Sequence, residues 1–269
     1  MTVDLYHLAS LKEFLQVHGL EAKRSLGQNF LFHERECHKI IATADIQPND
    51  HVLEIGPGLG HLTHLMEQTG AEVTAYEIDQ RLTALWPELY PDTKNEIHNQ
   101  DFLEAPKEEY SHCTKVVANL PYYIVKEIIT KLISTRAQFQ SLTFTLQKEE
   151  ALRLAQKPGD PRYGALNAML QILGPTECLS TIKKDNFYPR PHIDSAILHI
   201  GPITWPEAKI WANTQQIIKT AFSQRRKQLQ TSLKPLNIAP ESFSQAGISP
   251  TARPEELDPR SFLLFAEMI

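Results

Sequence analysis

Asn119-Leu120-Pro121-Tyr122 is the most chemically specific run in the chain. An asparagine side chain carries an oxygen that accepts hydrogen bonds. Pro121 has no N–H and holds Leu120 extended, so a backbone carbonyl beside it can point outward. Two acceptors so placed suit the two hydrogens of an exocyclic amine such as adenine N6. That nitrogen is a poor nucleophile while its lone pair is delocalised into the ring, and the acceptor pair draws it toward a tetrahedral form that frees the pair. Tyr122 is placed to stack on the base. Phe187, within Asn186-Phe187-Tyr188-Pro189-Arg190-Pro191, is the candidate for the base's other face, on a loop stiffened by its prolines. A duplex base must be flipped out to reach such a site, whereas a loop base costs less to extract.

The partner chemistry is signalled upstream. Gly56-Pro57-Gly58-Leu59-Gly60 follows an apolar run and opens a helix-like segment, where glycines let a ligand approach the backbone at the positive end of the helix. The spacing is G-x-G-x-G, and His61 stands where a dinucleotide fingerprint has its third glycine. The pattern therefore favours a nucleoside without a pyrophosphate. Glu77, roughly 20 residues on, can accept both ribose hydroxyls. Asp101 can accept from the cofactor's exocyclic amine, with Phe102 against the ring. Transfer of a methyl group from a sulfonium needs alignment rather than a metal, and orientation alone accounts for roughly 7–11 kcal/mol of such a barrier. His33, Cys37 and His38 can share a helix face, but no partner pair with zinc spacing follows, so no metal is expected.

Short apolar runs position these residues. Strands are predicted at 51–56, 72–79, 95–102, 115–122 and 141–147, separated by helix-like segments. That alternation implies a mostly parallel sheet with helices on both faces and a ligand at the carboxyl ends of the strands. The runs 176–182 and 195–200 are expected to close the sheet as an antiparallel edge. Leu5, Leu8, Leu11 and Leu15 predict an amphipathic helix ended by Gly19, and helices are also expected up to about Asp45, at 165–173, 208–222 and 223–234, and at the C-terminus.

With 42% hydrophobic and 22% charged residues, the chain fits a soluble globular protein rather than a disordered or fibrous one. The N-terminal 19 residues do not read as a signal peptide. Cys37, Cys113 and Cys178 are odd in number and scattered, which points to a reducing, cytoplasmic setting. A net charge of −5 does not advertise a nucleic-acid binder, yet cations cluster at Lys23-Arg24, at Lys148, Arg153 and Lys157, and at Arg225-Arg226-Lys227. Each cluster alone reads as a solvated surface run.

Taken in order, Lys23–Leu31, the segment 53–63, Glu77, Asn99–Phe102, Asn119–Tyr122 and the segments 146–171, 187–196 and 221–233 resemble the bacterial small-subunit rRNA adenine N6,N6-dimethyltransferase family. The likeness implies an α/β, Rossmann-like class I S-adenosylmethionine-dependent domain with a small all-α C-terminal domain. The expected divisions are a helical extension at 1–22, the catalytic domain at 23–203 and the RNA-binding helical domain at 204–269. It implies dimethylation of two adjacent adenosines in a hairpin loop near the 3′ end of 16S rRNA, during late small-subunit assembly, by a monomer without membrane association. Carried over by position, Gln28, Asn29, Leu31, Gly56, Gly58, Glu77, Asp101, Phe102 and Asn119 would hold S-adenosylmethionine. Asn119, Leu120, Pro121, Tyr122 and Phe187 would hold the base. Lys23, Arg24, Arg225, Arg226 and Lys227 would face RNA phosphates. Asn167 departs from the family's usual serine, and the extension is longer than usual. A nicotinamide dehydrogenase is disfavoured by His61 and the Asn119–Tyr122 run. A macrolide-resistance-type methyltransferase of large-subunit rRNA shares several elements. A ribosome-assembly factor with catalysis lost is disfavoured by the intact Glu77 and Asn119.

Overall fold

The computed structural model describes residues 4–137, 139–225 and 227–268, with the backbone alone for Arg24. Strands run at Phe30–Leu31 (β1), His51–Ile55 (β2), Glu72–Tyr76 (β3), Glu96–His98 (β4), Lys115–Asn119 (β5), Ser141–Gln147 (β6), Thr176–Ile182 (β7), Phe187–Tyr188 (β8) and Ser195–Ile200 (β9). Seven of them form one sheet in the order β4-β3-β2-β5-β6-β9-β7. The pairs β4/β3, β3/β2, β2/β5 and β5/β6 are parallel. Chain order reverses at β2, with β3 on one side and β5 on the other, so a ligand crevice opens beyond the carboxyl ends of β2 and β5. β1 and β8 form a separate antiparallel pair, Phe30 opposite Tyr188 and Leu31 opposite Phe187.

The chain divides into two compact units, residues up to Ala151 with Cys178–His199, and Leu152–Glu177 with Ile200–Ile269. This differs from the linear division expected at 203/204. In the first unit the helices are Leu8–Val17 (α1), Glu34–Ala44 (α2), His61–Gln68 (α3), Gln80–Thr83 (α4), Trp86–Leu89 (α5), Val125–Thr135 (α6) and, across the boundary, Lys148–Leu154 (α7). Ile40, Ile41, Leu62, Leu65 and Met66 of α2 and α3 pack with Val52, Val73 and Val117 of the sheet. The extension is not a separate body. Leu11, Phe14 and Leu15 of α1 are buried with Phe30, Phe32, Leu59 and Leu82. Gly19 ends α1 in the left-handed conformation (φ 60°), and Leu20 N–H closes the turn on the Leu15 carbonyl at 2.8 Å.

The second unit holds Ala165–Leu173 (α8), Ala208–Ser223 (α9), Leu229–Ser232 (α10), Pro240–Gln245 (α11) and Pro259–Glu267 (α12). Segment 152–177 joins it because α8 buries Ala168, Met169, Leu170 and Leu173 and packs with α9 and α12. Asn167 is fully buried there. Its amide donates to the carbonyls of Arg153 (2.6 Å) and Leu154 (2.9 Å) and accepts from Gly164 N–H (3.2 Å). The helix expected over 223–234 is interrupted. α9 ends at Ser223 and α10 begins at Leu229, where Leu229 and Gln230 N–H donate to the Ala252 and Pro250 carbonyls at 2.8 and 3.1 Å. Likewise, the strand expected over 95–102 stops at His98, and Asp101 caps a following turn through Leu103 N–H at 2.8 Å. Among the described residues, no helix is long and apolar enough to cross a membrane.

Candidate active site

The residues ending β2, β3, β4 and β5 converge with segment 26–31 around one pocket. Gly56, Gly58 and Gly60 have φ of 70°, 60° and 81°, values that an L side chain rarely adopts. A Cβ built on Gly56 would meet no atom within 4 Å, so this stretch of backbone borders open space. The same test at Gly58 meets the Phe30 ring at 3.2 Å, and at Gly60 it strikes Tyr90 at 2.6 Å. The loop is thus packed from behind and open in front, the shape needed to seat a ligand against backbone.

Glu77 is 5% exposed. Its carboxylate accepts from Gly58 N–H (3.0 Å) and Asp79 N–H (2.9 Å), which ties the glycine loop to the end of β3. Burial raises its pKa against the opposing pull of those amides. Asp101 uses one oxygen to cap Leu103 N–H, leaving the other for a ligand. Phe102 is buried against Tyr76 and Tyr110, with Lys131 Nζ 5.1 Å from its ring centre. Lys131 also donates to the Leu103 (2.9 Å) and Ala105 (2.6 Å) carbonyls, fixing the loop that carries Asp101.

Asn119 ends β5. Its Nδ2 donates to the Asn29 carbonyl at 3.1 Å, and a carbonyl can only accept, so Oδ1 is the atom left to receive a hydrogen bond. Leu120 N–H continues the ladder to the Thr145 carbonyl at 3.2 Å, and the Pro121 carbonyl accepts from Ile124 N–H at 3.3 Å. The Leu120 carbonyl, between these two bonded groups, is the nearest backbone acceptor for a second hydrogen bond from a ligand. The Tyr122 hydroxyl pairs with Ser195 Oγ of β9 at 3.0 Å, which holds the ring in place.

The structure brings Gln28, Asn29, Leu31, Gly56, Gly58, Glu77, Asp101, Phe102, Asn119, Leu120, Pro121 and Tyr122 together around this pocket. Gln28 is committed within the wall. Its amide donates to Asp79 at 2.9 Å and accepts from Lys23 N–H at 2.7 Å. Phe187 is not brought in. It is 2% exposed and packs in the core with Leu31, Ile182 and Ile197, because pairing with β1 turns it inward. Nor does Lys23 present an unengaged cation, since its Nζ lies 3.4 Å from Asp79. Arg225 donates to the Pro161 carbonyl and lies 4.0 Å from Glu255, while Lys227 is exposed. The Arg24 side chain and all of Arg226 lie outside the described residues.

Tyr123, which lines the pocket, and Asp79 and Lys131, which hold lining residues from behind, are residues that the sequence reading missed. Asp79 is buried and receives Arg81, Gln28 and Lys23, and Arg81's hydrogen bonds foremost hold its carboxyl far below the usual range. Its spacing two after Glu77 was the available signal. Tyr123, 57% exposed, stands at the pocket wall beside Gly27.

A parallel sheet with this strand order, carrying a glycine loop and acids at successive strand ends, defines a class I S-adenosylmethionine-dependent methyltransferase. The model of the family described as ribosomal RNA adenine dimethylase matches residues 19–269. The chain belongs to that family and is an rRNA adenine methyltransferase. It is 33% identical to the ribosomal RNA small subunit methyltransferase A of Lactiplantibacillus plantarum, over 99% of this chain and 96% of that one. It is 35% identical to the Clostridium botulinum protein of the same name, over 93% and 95%. Among solved structures it is similar to a dimethyladenosine transferase from Plasmodium falciparum (TM-score 0.71, 26% identity, 86% and 94% coverage). It is also similar to the 23S rRNA methyltransferase ErmE (TM-score 0.67, 28% identity, 89% and 98% coverage).

Proposed function

We propose that this protein dimethylates N6 of two adjacent adenosines in a hairpin loop near the 3′ end of 16S rRNA, during late assembly of the small subunit. The observation that carries the chemistry is the orientation of Asn119, fixed by Asn29 so that its oxygen faces an incoming amine. S-adenosylmethionine supplies the methyl group as a sulfonium. The residues present fit it. Open backbone at Gly56 and the held carboxylate of Glu77 suit its chain and ribose, and the uncommitted oxygen of Asp101 suits its adenine amine. Asn119 Oδ1 and the Leu120 carbonyl then accept the two N6 hydrogens of the target. The freed lone pair would form the N–C bond as the donor's C–S bond breaks, with S-adenosylhomocysteine leaving and one N6 proton lost to solvent, while Tyr122 braces the ring. Two methyl groups on one nitrogen require a second transfer, in which the singly methylated amine has one hydrogen left and can donate to only one of the two acceptors.

The names of the bacterial relatives support the small subunit as target, while the similarity to ErmE makes large-subunit rRNA the second reading. Small subunits from a strain lacking the modification, incubated with the protein and methyl-labelled cofactor, distinguish the two. N6,N6-dimethyladenosine confined to adjacent adenosines near the 16S 3′ end is the expected result. Label found only in large-subunit rRNA would select the other target, and binding to particles without label would leave an assembly role alone.

A further inference from the structure

The N-terminal segment touches the pocket wall at His61 and the elements behind that wall at two further places. At one, the Tyr6 hydroxyl donates to the His61 carbonyl at 2.8 Å, and the His61 ring lies edge-on to Tyr6 with centroids 5.3 Å apart. His61 Nε2 lies 3.1 Å from the Leu5 carbonyl, a partner that can only accept, so the imidazole carries its proton on Nε2. His61 is the first residue of α3, directly after the glycine loop, and it lines the pocket. At the second element, Arg81 Nη2 donates to the Glu21 carbonyl at 3.2 Å while binding Asp79, which anchors Gln28. At the third, Lys12 Nζ stands 5.3 Å from the centre of the Tyr188 ring, opposite Phe30 in the β1/β8 pair.

These contacts act in series. α1 buries Phe30 with Leu11, Phe14 and Leu15, and Phe30 sits where a Cβ on Gly58 would lie at 3.2 Å. Gly58 N–H in turn holds Glu77. The left-handed glycine loop is costly to hold in one shape, and its shape is set from behind by residues of the extension. We propose that the segment from Asp4 to Ala22 is a positioning element for the cofactor pocket, acting on the glycine loop through Tyr6 and His61. The inference rests on the assignment of this pocket to S-adenosylmethionine. It assigns Tyr6 and His61 no contact with the reacting atoms. Their work is to hold the loop in its binding shape before the cofactor arrives, so that binding does not bear the cost of ordering it.

The test uses the full chain and S-adenosylhomocysteine, titrated calorimetrically in the absence of RNA, with the melting temperature of every variant recorded. Tyr6→Phe removes one hydroxyl and keeps the ring. His61→Leu keeps the bulk without the donor, and His61→Gln restores an N–H at the place of Nε2. The expected result is a Kd raised about tenfold in Tyr6→Phe and in His61→Leu, with His61→Gln within about threefold of wild type, tenfold being 1.4 kcal/mol. In Tyr6→Phe, turnover at saturating cofactor and the KM for RNA should stay near wild type. Because coupling is reciprocal, adding S-adenosylhomocysteine to the wild type should also slow amide exchange in α1. The proposal is overturned if Tyr6→Phe and His61→Leu bind as tightly as wild type. It is also overturned if His61→Gln is no better than His61→Leu and both losses track melting temperature, which is the signature of packing alone. Failure of the wild type itself to bind would remove the cofactor assignment, and the proposal with it.

Discussion

Asn119 Nδ2 donates to the backbone carbonyl of Asn29 at 3.1 Å, across 90 residues of sequence. The bond joins the segment before β1 to the end of β5, and it decides which end of the Asn119 amide meets the substrate. Asn119→Ala removes the acceptor, and Asn119→Asp substitutes an oxygen that is repelled by the Asn29 carbonyl. Both should lower kcat by about 10²–10³, the scale for losing one preorganised polar group at a reacting centre. RNA affinity should stay within about twofold, because phosphate contacts dominate it. Single-turnover methylation together with filter binding measures both quantities. Normal turnover in Asn119→Ala would end this account of N6 activation.

Glu77 accepts from two backbone amides, so even its closest neutral analogue is mismatched. In Glu77→Gln one carboxylate oxygen becomes an NH2 group facing an N–H donor. The expected result is cofactor binding weakened by roughly 10–100-fold, the cost of leaving a buried donor unpaired being about 1–3 kcal/mol. Turnover at saturating cofactor should fall far less. Equilibrium binding of S-adenosylhomocysteine checks the first part, and an unchanged Kd would take Glu77 out of the site.

Much of this site was legible in the sequence because its chemistry sits at strand ends, where hydrophobic runs stop and ligand-shaped residues begin. Gly56, Glu77 and Asp101 follow parallel strands and Asn119 ends one, so reading the strands located the pocket. What escaped depends on pairing between distant segments. Phe187 reads as a loop aromatic held over the pocket until β8 pairs with β1 and turns it into the core. Segment 152–177 reads as part of the sheet domain until α8 is seen to pack with α9 and α12. Lys131 carries no local sequence signal that its ammonium bonds the carbonyls of the Asp101 loop.

Lys131→Met keeps the aliphatic stem over Phe102 and Tyr110 while deleting both bonds to the Leu103 and Ala105 carbonyls. The loop bearing Asp101 should loosen, weakening cofactor binding about tenfold with a small change in KM for RNA, on the scale of one or two net hydrogen bonds at ~1 kcal/mol each. Burial already lowers the pKa of this lysine, so Lys131→Arg, bulkier and permanently charged, should not restore the wild-type value. Calorimetric titration of the two variants decides the matter. Tight binding by Lys131→Met would show that the loop holds without it.

Within the basic run of the second unit, Arg225 and Lys227 should separate. Arg225 is engaged with the Pro161 carbonyl and lies near Glu255, so Arg225→Ala should lower the melting temperature. Lys227 is exposed, and Lys227→Ala should leave stability unchanged while reducing the slope of log affinity for RNA against log salt by about 0.7–0.9, one phosphate's worth. Salt titrations of RNA binding measure that slope. An unchanged slope would place the RNA contact elsewhere.

Glu54 lies in β2 beneath the glycine loop, 1% exposed and joined to the Thr63 hydroxyl. Burial foremost, opposed by the Thr63 bond and reinforced by the nearby Glu77 charge, pushes its pKa up to about 8. In the unfolded chain the group ionises near its ordinary value of about 4.3. Below that value both states hold the proton and folding has no cost. As pH rises toward 8 the unfolded chain releases a proton that the folded one retains, so stability is progressively lost. Burial of His61 works in the opposite direction. Its imidazole is held down to about 4, so stability is lost as pH falls from about 6.5 toward that value. Together the two groups place maximal stability on the acidic side of neutrality. Glu54→Gln is neutral at every pH and keeps the side chain's size. Its melting temperature should therefore exceed that of wild type at pH 8, and the difference should shrink toward zero as pH falls to about 4 while the acid limb due to His61 persists. A melting-temperature difference that is constant across this range would mean that Glu54 is ionised in the folded protein and that its environment supplies the missing stabilisation.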